Sequence, residues 1–124
     1  MAIVGRTATV AELNTVTGIT ATLPTDRQAG DLCVVVFACD STVATFTGPA
    51  GWTQLKAPQN DPNNNLIAAY YQFNPSSAPS ASTSGAAGRW TAICQSYGGV
   101  HPTVPVDAAA VTTAGNGTTL AATG

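Results

Sequence analysis

His101 is the one histidine among 124 residues, so any serine or cysteine triad in this chain would have to use it as the base. No carboxylate or cysteine stands near it in sequence, and Pro102 follows it, so it reads as a stiffened loop residue. No Gly-x-Ser-x-Gly elbow occurs. Paired carboxylates would have to come from Glu12, Asp26, Asp31, Asp40, Asp61 and Asp107. Asp31 and Asp40 bracket one apolar run and fall at opposite ends of it; Asp26 lies in the turn before. Asp61-Pro62-Asn63-Asn64-Asn65 opens like a calcium loop. It then puts Leu66 where such a loop needs glycine and Gln72 where it needs the bidentate glutamate. Gly98-Gly99 is followed by neither a helix pattern nor a lysine, so no phosphate loop is present. The six-residue step from Cys33 to Cys39 fits no common zinc or redox motif. On one strand those two would share a face roughly 20 Å apart, too far to bridge, while Cys94 could approach either. All three read as small buried hydrophobes. The expectation is no catalytic residue, no metal and no cofactor.

The elements that must position these residues are strands. Gly30–Asp40 is the only long apolar run, β-branched and aromatic in its middle, and reads as a central strand buried on both faces. Leu66–Phe73 and Arg89–Tyr97 are its expected companions, the latter with Trp90, Ala92, Cys94 and Ser96 on one face. Ile3–Val10 and Thr15–Leu23 alternate and suit half-exposed strands, the second stopped by Pro24. Ser41–Thr47 is a short strand or extended edge, Gly48–Gly51 a turn, and Trp52–Lys56 a short strand. Ala57–Asn65 reads as a loop, and Asn74–Gly88, rich in Ser, Ala, Pro and Gly, as a long flexible connection. No stretch combines helical period with caps. The pattern predicts an all-β, antiparallel β-sandwich over residues 1–107, jelly-roll-like or immunoglobulin-like, with 108–124 as an Ala/Thr/Gly-rich arm that can add one strand.

Composition narrows the function. Apolar residues make up 44% but charged residues only 8%, against about 25% in typical soluble domains. A surface so poor in charge steers weakly at long range and packs well against other protein. The net charge is -2, and Arg6, Arg27, Lys56 and Arg89 are scattered, which argues against nucleic acid. The longest apolar run is too short to span a bilayer, so no membrane partner is expected. The amino terminus lacks a charged-then-apolar leader pattern, which predicts synthesis in a cytoplasm. Trp52, Trp90, Tyr70, Tyr71 and Tyr97 could stack on sugars, but four of them fall in expected strands, where core packing is their ordinary role. Tyr70 and Tyr71 are adjacent and point to opposite faces, so one of them reaches a surface.

Four segments occur in order: Gly30-Asp31-Leu32, Pro49-Ala50-Gly51-Trp52-Thr53, Ala68-Ala69-Tyr70-Tyr71, and Tyr97-Gly98-Gly99-Val100-His101-Pro102-Thr103-Val104-Pro105-Val106-Asp107. As an ordered set they resemble a β-sandwich module of structural proteins in tailed bacteriophages, especially those of actinobacteria. The resemblance runs from about Thr7 to Asp107. This chain departs from it in Cys33 and Cys39, which stand in place of aliphatics, and in one extra glycine at Gly98-Gly99. Relatives in that group continue into further strands, so the expectation is either a minimal version or an edge completed by a neighbouring subunit. The resemblance implies a non-enzymatic virion protein, most simply one that decorates or cements a capsid as a homo-oligomer, with the major capsid protein or other virion proteins as partners. Its alternative is a tail or fibre module that binds host-surface carbohydrate. Trp52, Tyr70, Tyr71 and His101 are the candidate interface residues.

Overall fold

Leu32–Asp40 forms strand β4, and its nine residues pair along their whole length on both sides. One neighbour is β7 (Asn65–Phe73), the other β9 (Gly88–Gly98), both antiparallel. This computed structural model describes residues 2–40, 45–60 and 65–105. β6 (Thr53–Asn60) lies outside β7, and β1 (Val4–Gly5) and β2 (Thr9–Val16) share the far side of β9. A second sheet is built from β3 (Gly18–Thr20), β8 (Ser80–Thr83) and β5 (Phe46–Thr47), in the order β3-β8-β5. The described residues are all-β with no helix, two antiparallel sheets packed as a sandwich.

The core lies between the sheets. Cys33, Val35, Phe37 and Cys39 of β4 point into it, beside Leu66, Ala68 and Tyr70 of β7 and Trp90, Ala92 and Cys94 of β9. Ile19, Ala21 and Ala81 come down from the second sheet. Phe46 fills the middle, stacked on Tyr70 with ring centres 6.4 Å apart and on Trp90 at 6.3 Å. Phe37 meets Tyr70 edge-on, the other favoured geometry for two π systems. The polar tips of two core side chains, Trp90 Nε1 and Ser96 Oγ, have no hydrogen-bond partner among the described residues.

Several sequence expectations change here. The central strand is not buried on both faces: its other face, Val34, Val36 and Ala38, is only half-covered. Ile3–Val10 is not one strand. Gly5 pairs with Tyr97 and Thr9 with Cys94, so the edge holds one residue more than β9 over this stretch. That extra residue exchanges the two faces, which puts Gly5 and Val10 on the same side. Thr15–Leu23 is likewise split between sheets. A second irregularity between Leu13 and Val16, with Thr15 at a left-handed φ of 56°, turns the chain from β2 into β3. The expected loop at Ala57–Asn65 gives way at both ends to strand, because β6 continues to Asn60 and β7 begins at Asn65; positions 61–64 lie outside the described residues. Most consequentially, Asn74–Gly88 is not a loose connection. Pro75, Pro79, Ala81 and Thr83 are buried, and β8 is the middle strand of the second sheet. Its alternation is real but written in small residues, Ala81 and Thr83 inward and Ser80 and Ser82 outward. The 108–124 arm lies outside the described residues, as do positions 41–44.

Small residues are needed where β3 meets β8. A Cβ on Gly18 would sit 2.7 Å from the Ala81 carbonyl oxygen and 3.0 Å from Ser82 Cβ. Gly18→Ala should therefore destabilise the fold by about 1–3 kcal/mol through forced separation of the two strands. Ser96→Ala, which removes a buried hydroxyl with no partner, should be neutral or stabilising by up to about 1 kcal/mol. Denaturant unfolding of both variants checks the opposite signs.

Candidate functional site

Register places five rows of side chains across the outer face of the larger sheet: three central ones, with Gly5, Tyr97, Leu32 and Phe73 beyond them at one end and Arg89, Asp40 and Asn65 at the other. The middle row runs Val10, Ile93, Val36, Ala69, Lys56 from one edge to the other. On one side lies Glu12, Thr91, Ala38, Ile67, Gln59. On the other side lies Gln95, Val34, Tyr71, Thr53. Val10, Ile67 and Ile93 are 59%, 47% and 44% exposed, although all three are large and apolar. Nothing among the described residues packs over them. Contiguous apolar surface of this kind marks a place where another molecule sits. The charges on these three rows stand at opposite edges, Glu12 on β2 and Lys56 on β6. Lys56 donates to Gln59 Oε1 at 2.9 Å, so its ammonium leans into the row that holds Glu12 at its far end.

A polar cluster guards one corner of the sandwich. Arg6 Nε donates to Asp31 Oδ2 at 2.6 Å and Arg6 Nη2 to Asp31 Oδ1 at 3.2 Å, a two-pronged pair across 25 residues of sequence. The Gln28 N–H donates to Asp31 Oδ2 at 2.9 Å, and Arg6 Nη2 also reaches Gln28 Oε1. Asp31 closes a turn on Gln28, with Gly30 at a φ of +89°, as a type II turn requires at its third position. Asn74 joins β7 to the same corner: its side-chain oxygen accepts from the Gly30 N–H and its own N–H donates to the Asp31 carbonyl. Gly98 leaves the room for this pair, since a Cβ there would lie 3.0 Å from Arg6 Nη2 and 3.1 Å from Asp31 Oδ1. An open recess of about 420 Å³ adjoins the cluster, lined by Arg27, Gln28, Asp31 and Asn74 among others. Both Asp31 oxygens are engaged, so the recess has no spare carboxylate for catalysis.

The sequence-nominated residues do not converge. Tyr70 is 6% exposed and stacks in the core, which removes it as a direct interface residue; its hydroxyl fills the space that Gly48 vacates. Trp52 is half-buried and packs against the core from the end of the Pro49–Gly51 turn, where Gly51 takes a φ of +79°. Tyr71 does lie on the open outer face, half-exposed, beside Val34. His101 is exposed after β9, and its Nδ1 accepts the N–H groups of Thr103 and Val104 at 3.3 and 3.2 Å. That ring caps its own loop, and the Thr103 hydroxyl stands 3.3 Å from the same nitrogen.

The cysteine thiols are buried, as small hydrophobes would be. Burial pushes Cys94 up to about 12 and raises Cys33 as well, so both stay protonated and unreactive. Among the described residues no three of His, Cys, Asp and Glu are grouped to hold a metal ion, and no helix is long and apolar enough to cross a membrane. Positions 61–64 of the calcium-like segment lie outside the described residues. The chain matches no family model, no curated protein and no solved structure. What the sequence reading missed is the outer face as a whole. Its signal was present in Val10, Ile67 and Ile93, but it appears only once the register aligns them.

The corner pair makes stability depend on acid. The hydrogen bond from Arg6 holds the Asp31 carboxyl below the ordinary range, and the Thr7 backbone N–H at 2.9 Å does the same for Asp26. A depressed carboxyl contributes stability that is present above its unfolded value and lost as pH falls through its folded one. The melting temperature should therefore fall as pH drops below about 4. Asp31→Asn should melt lower at neutral pH and show a shallower acid slope, read by circular dichroism across pH. An unchanged slope would show that the pair does not couple to folding.

Proposed function

We propose that this chain is a non-enzymatic structural component of a bacteriophage virion, a decorating or cementing protein of the capsid that works by burying its open sheet face against other protein. The observation that carries the reading is the apolar outer face centred on Val36, Ile67 and Ile93, on a chain with only 8% charged residues. The setting comes from the ordered motifs. Several of them have physical work in the fold: Gly30-Asp31 builds the corner turn, Gly51 the turn before Trp52, and Gly98 the room for Arg6. The major capsid protein or other virion proteins are the partners, and the virion is the location after synthesis in a host cytoplasm. A carbohydrate-binding tail or fibre module is less well supported. It needs exposed aromatic platforms, and Tyr70 is buried in the core while Trp52 and Tyr71 are only half-exposed.

Mass spectrometry of purified particles from the phage that encodes the chain should find it in many copies. Recombinant chain should rebind particles stripped of it. The double variant Ile67→Lys, Ile93→Lys should bind at least tenfold more weakly while keeping its far-ultraviolet spectrum. Purified particles without the chain would end the proposal.

A further inference from the structure

The charges at the rim of the open face distinguish the ways in which two copies could share it. β4 is the middle strand, with β9 and β2 on one side and β7 and β6 on the other. Consider two copies packed face to face about a two-fold axis that runs along β4. That operation lays β2 of each copy over β6 of the other. Glu12 then faces the row of the partner's Gln59, into which the ammonium of the partner's Lys56 leans, and the reciprocal contact forms at the other rim. A two-fold axis across the strands at the Val36 row does the opposite, bringing each Lys56 over its own copy. Opposite charges at both rims fit the first arrangement and disfavour the second; at the end of β4 the first also sets Asp40 of each copy opposite the other, each beside the Arg89 of its own sheet.

We infer that the open face is the interface of a symmetric homodimer whose two-fold axis lies along β4, with Glu12 of each protomer paired to Lys56 of the other. The inference rests on the reading of this face as a protein contact and names its occupant as a second copy. A face five strands wide and three rows deep covers on the order of 500 Å² per copy by ordinary strand spacings. Two such faces amount to about 1,000 Å², the lower bound for a specific interface. Sheets so packed lie about 10 Å apart, within reach of a short linker between facing positions.

Two experiments on the full chain test this. In sedimentation equilibrium, E12K and K56E should each weaken the dimer several-fold, up to about tenfold for two rim pairs, and the E12K/K56E double variant should return to near the parent value. Failure of the double variant to recover, or a monomer at every concentration, overturns the inference. In the second, V34C, V36C and A38C are treated with a short bismaleimide, the native thiols being buried. An axis along β4 places each of the three opposite itself, so all three should give covalent dimers, and I67C, displaced to the next strand, should not. Linking at V36C alone would indicate an axis across the strands and overturn the pairing; no linking at any of the three would overturn the dimer. A monomer whose Ile67→Lys, Ile93→Lys variant still loses particle binding overturns the dimer and keeps the virion reading. A dimer that never binds particles does the reverse.

Discussion

The larger sheet is wider than the sheet that covers it, and most of the molecule follows from that mismatch. Among the described residues the second sheet has three short strands, two of them only two or three residues long. It can bury one face of β4 and its neighbours, and no more. The space between the sheets is filled by large rings, Phe37, Tyr70 and Trp90 from the larger sheet and Phe46 from β5 of the smaller, while β3 and β8 contribute Ile19 and Ala81. Small residues let β3 and β8 approach closely, and Gly18 is the point at which no side chain is tolerated. Burial of the inner face carries the hydrophobic driving force. The outer face keeps its valines and isoleucines in contact with solvent.

The Arg6–Asp31 pair answers a different need. The edge strand must pass from β1 to β2 along β9 with one residue in excess, and the head of β4 must be held where β9 ends. A two-pronged guanidinium–carboxylate contact fixes both at once, and Gln28, Asn74 and Gly98 complete it. Asp31 is 3% exposed, and its charge is met by the Arg6 guanidinium and the Gln28 N–H. The aspartate that opens the apolar run is thus a structural residue, and this explains why Gly30-Asp31-Leu32 reads as a motif without any chemistry attached.

The sequence made the three central strands plain, because their alternation is carried by large side chains: Phe37, Trp90 and Tyr70 declare a buried face unaided. The all-β sandwich follows from them. β8 was hidden because Ala81 and Thr83 bury without looking hydrophobic, and a run of Ser, Ala, Pro and Gly resembles a linker unless its partner strands are known. The bulges were hidden for another reason. A single extra residue at Arg6–Ala8 or near Thr15 leaves local alternation intact and reverses which side is inward, and only pairing reveals it. The open face depends on that reversal, since Val10 joins Ile93 and Val36 only after the slip. Of the nominated aromatics, Tyr71 lies on it, and Tyr97 stands on the same face one row beyond Gln95.

Association through a sheet face rather than a sheet edge is consistent with how the edges are built. β6 carries Pro58, which cannot donate to an added strand, and its pairing is interrupted twice, on either side of Lys56. The opposite edge is broken between Gly5 and Thr9. Neither presents the long, flat row of free backbone groups that strand addition requires. An added strand would also do nothing for Val10, Ile67 and Ile93, whose side chains stand perpendicular to the sheet. A second apolar surface laid flat on the face covers them. The charges on its three central rows sit at opposite rims, the pattern that the proposed dimer turned about β4 brings together.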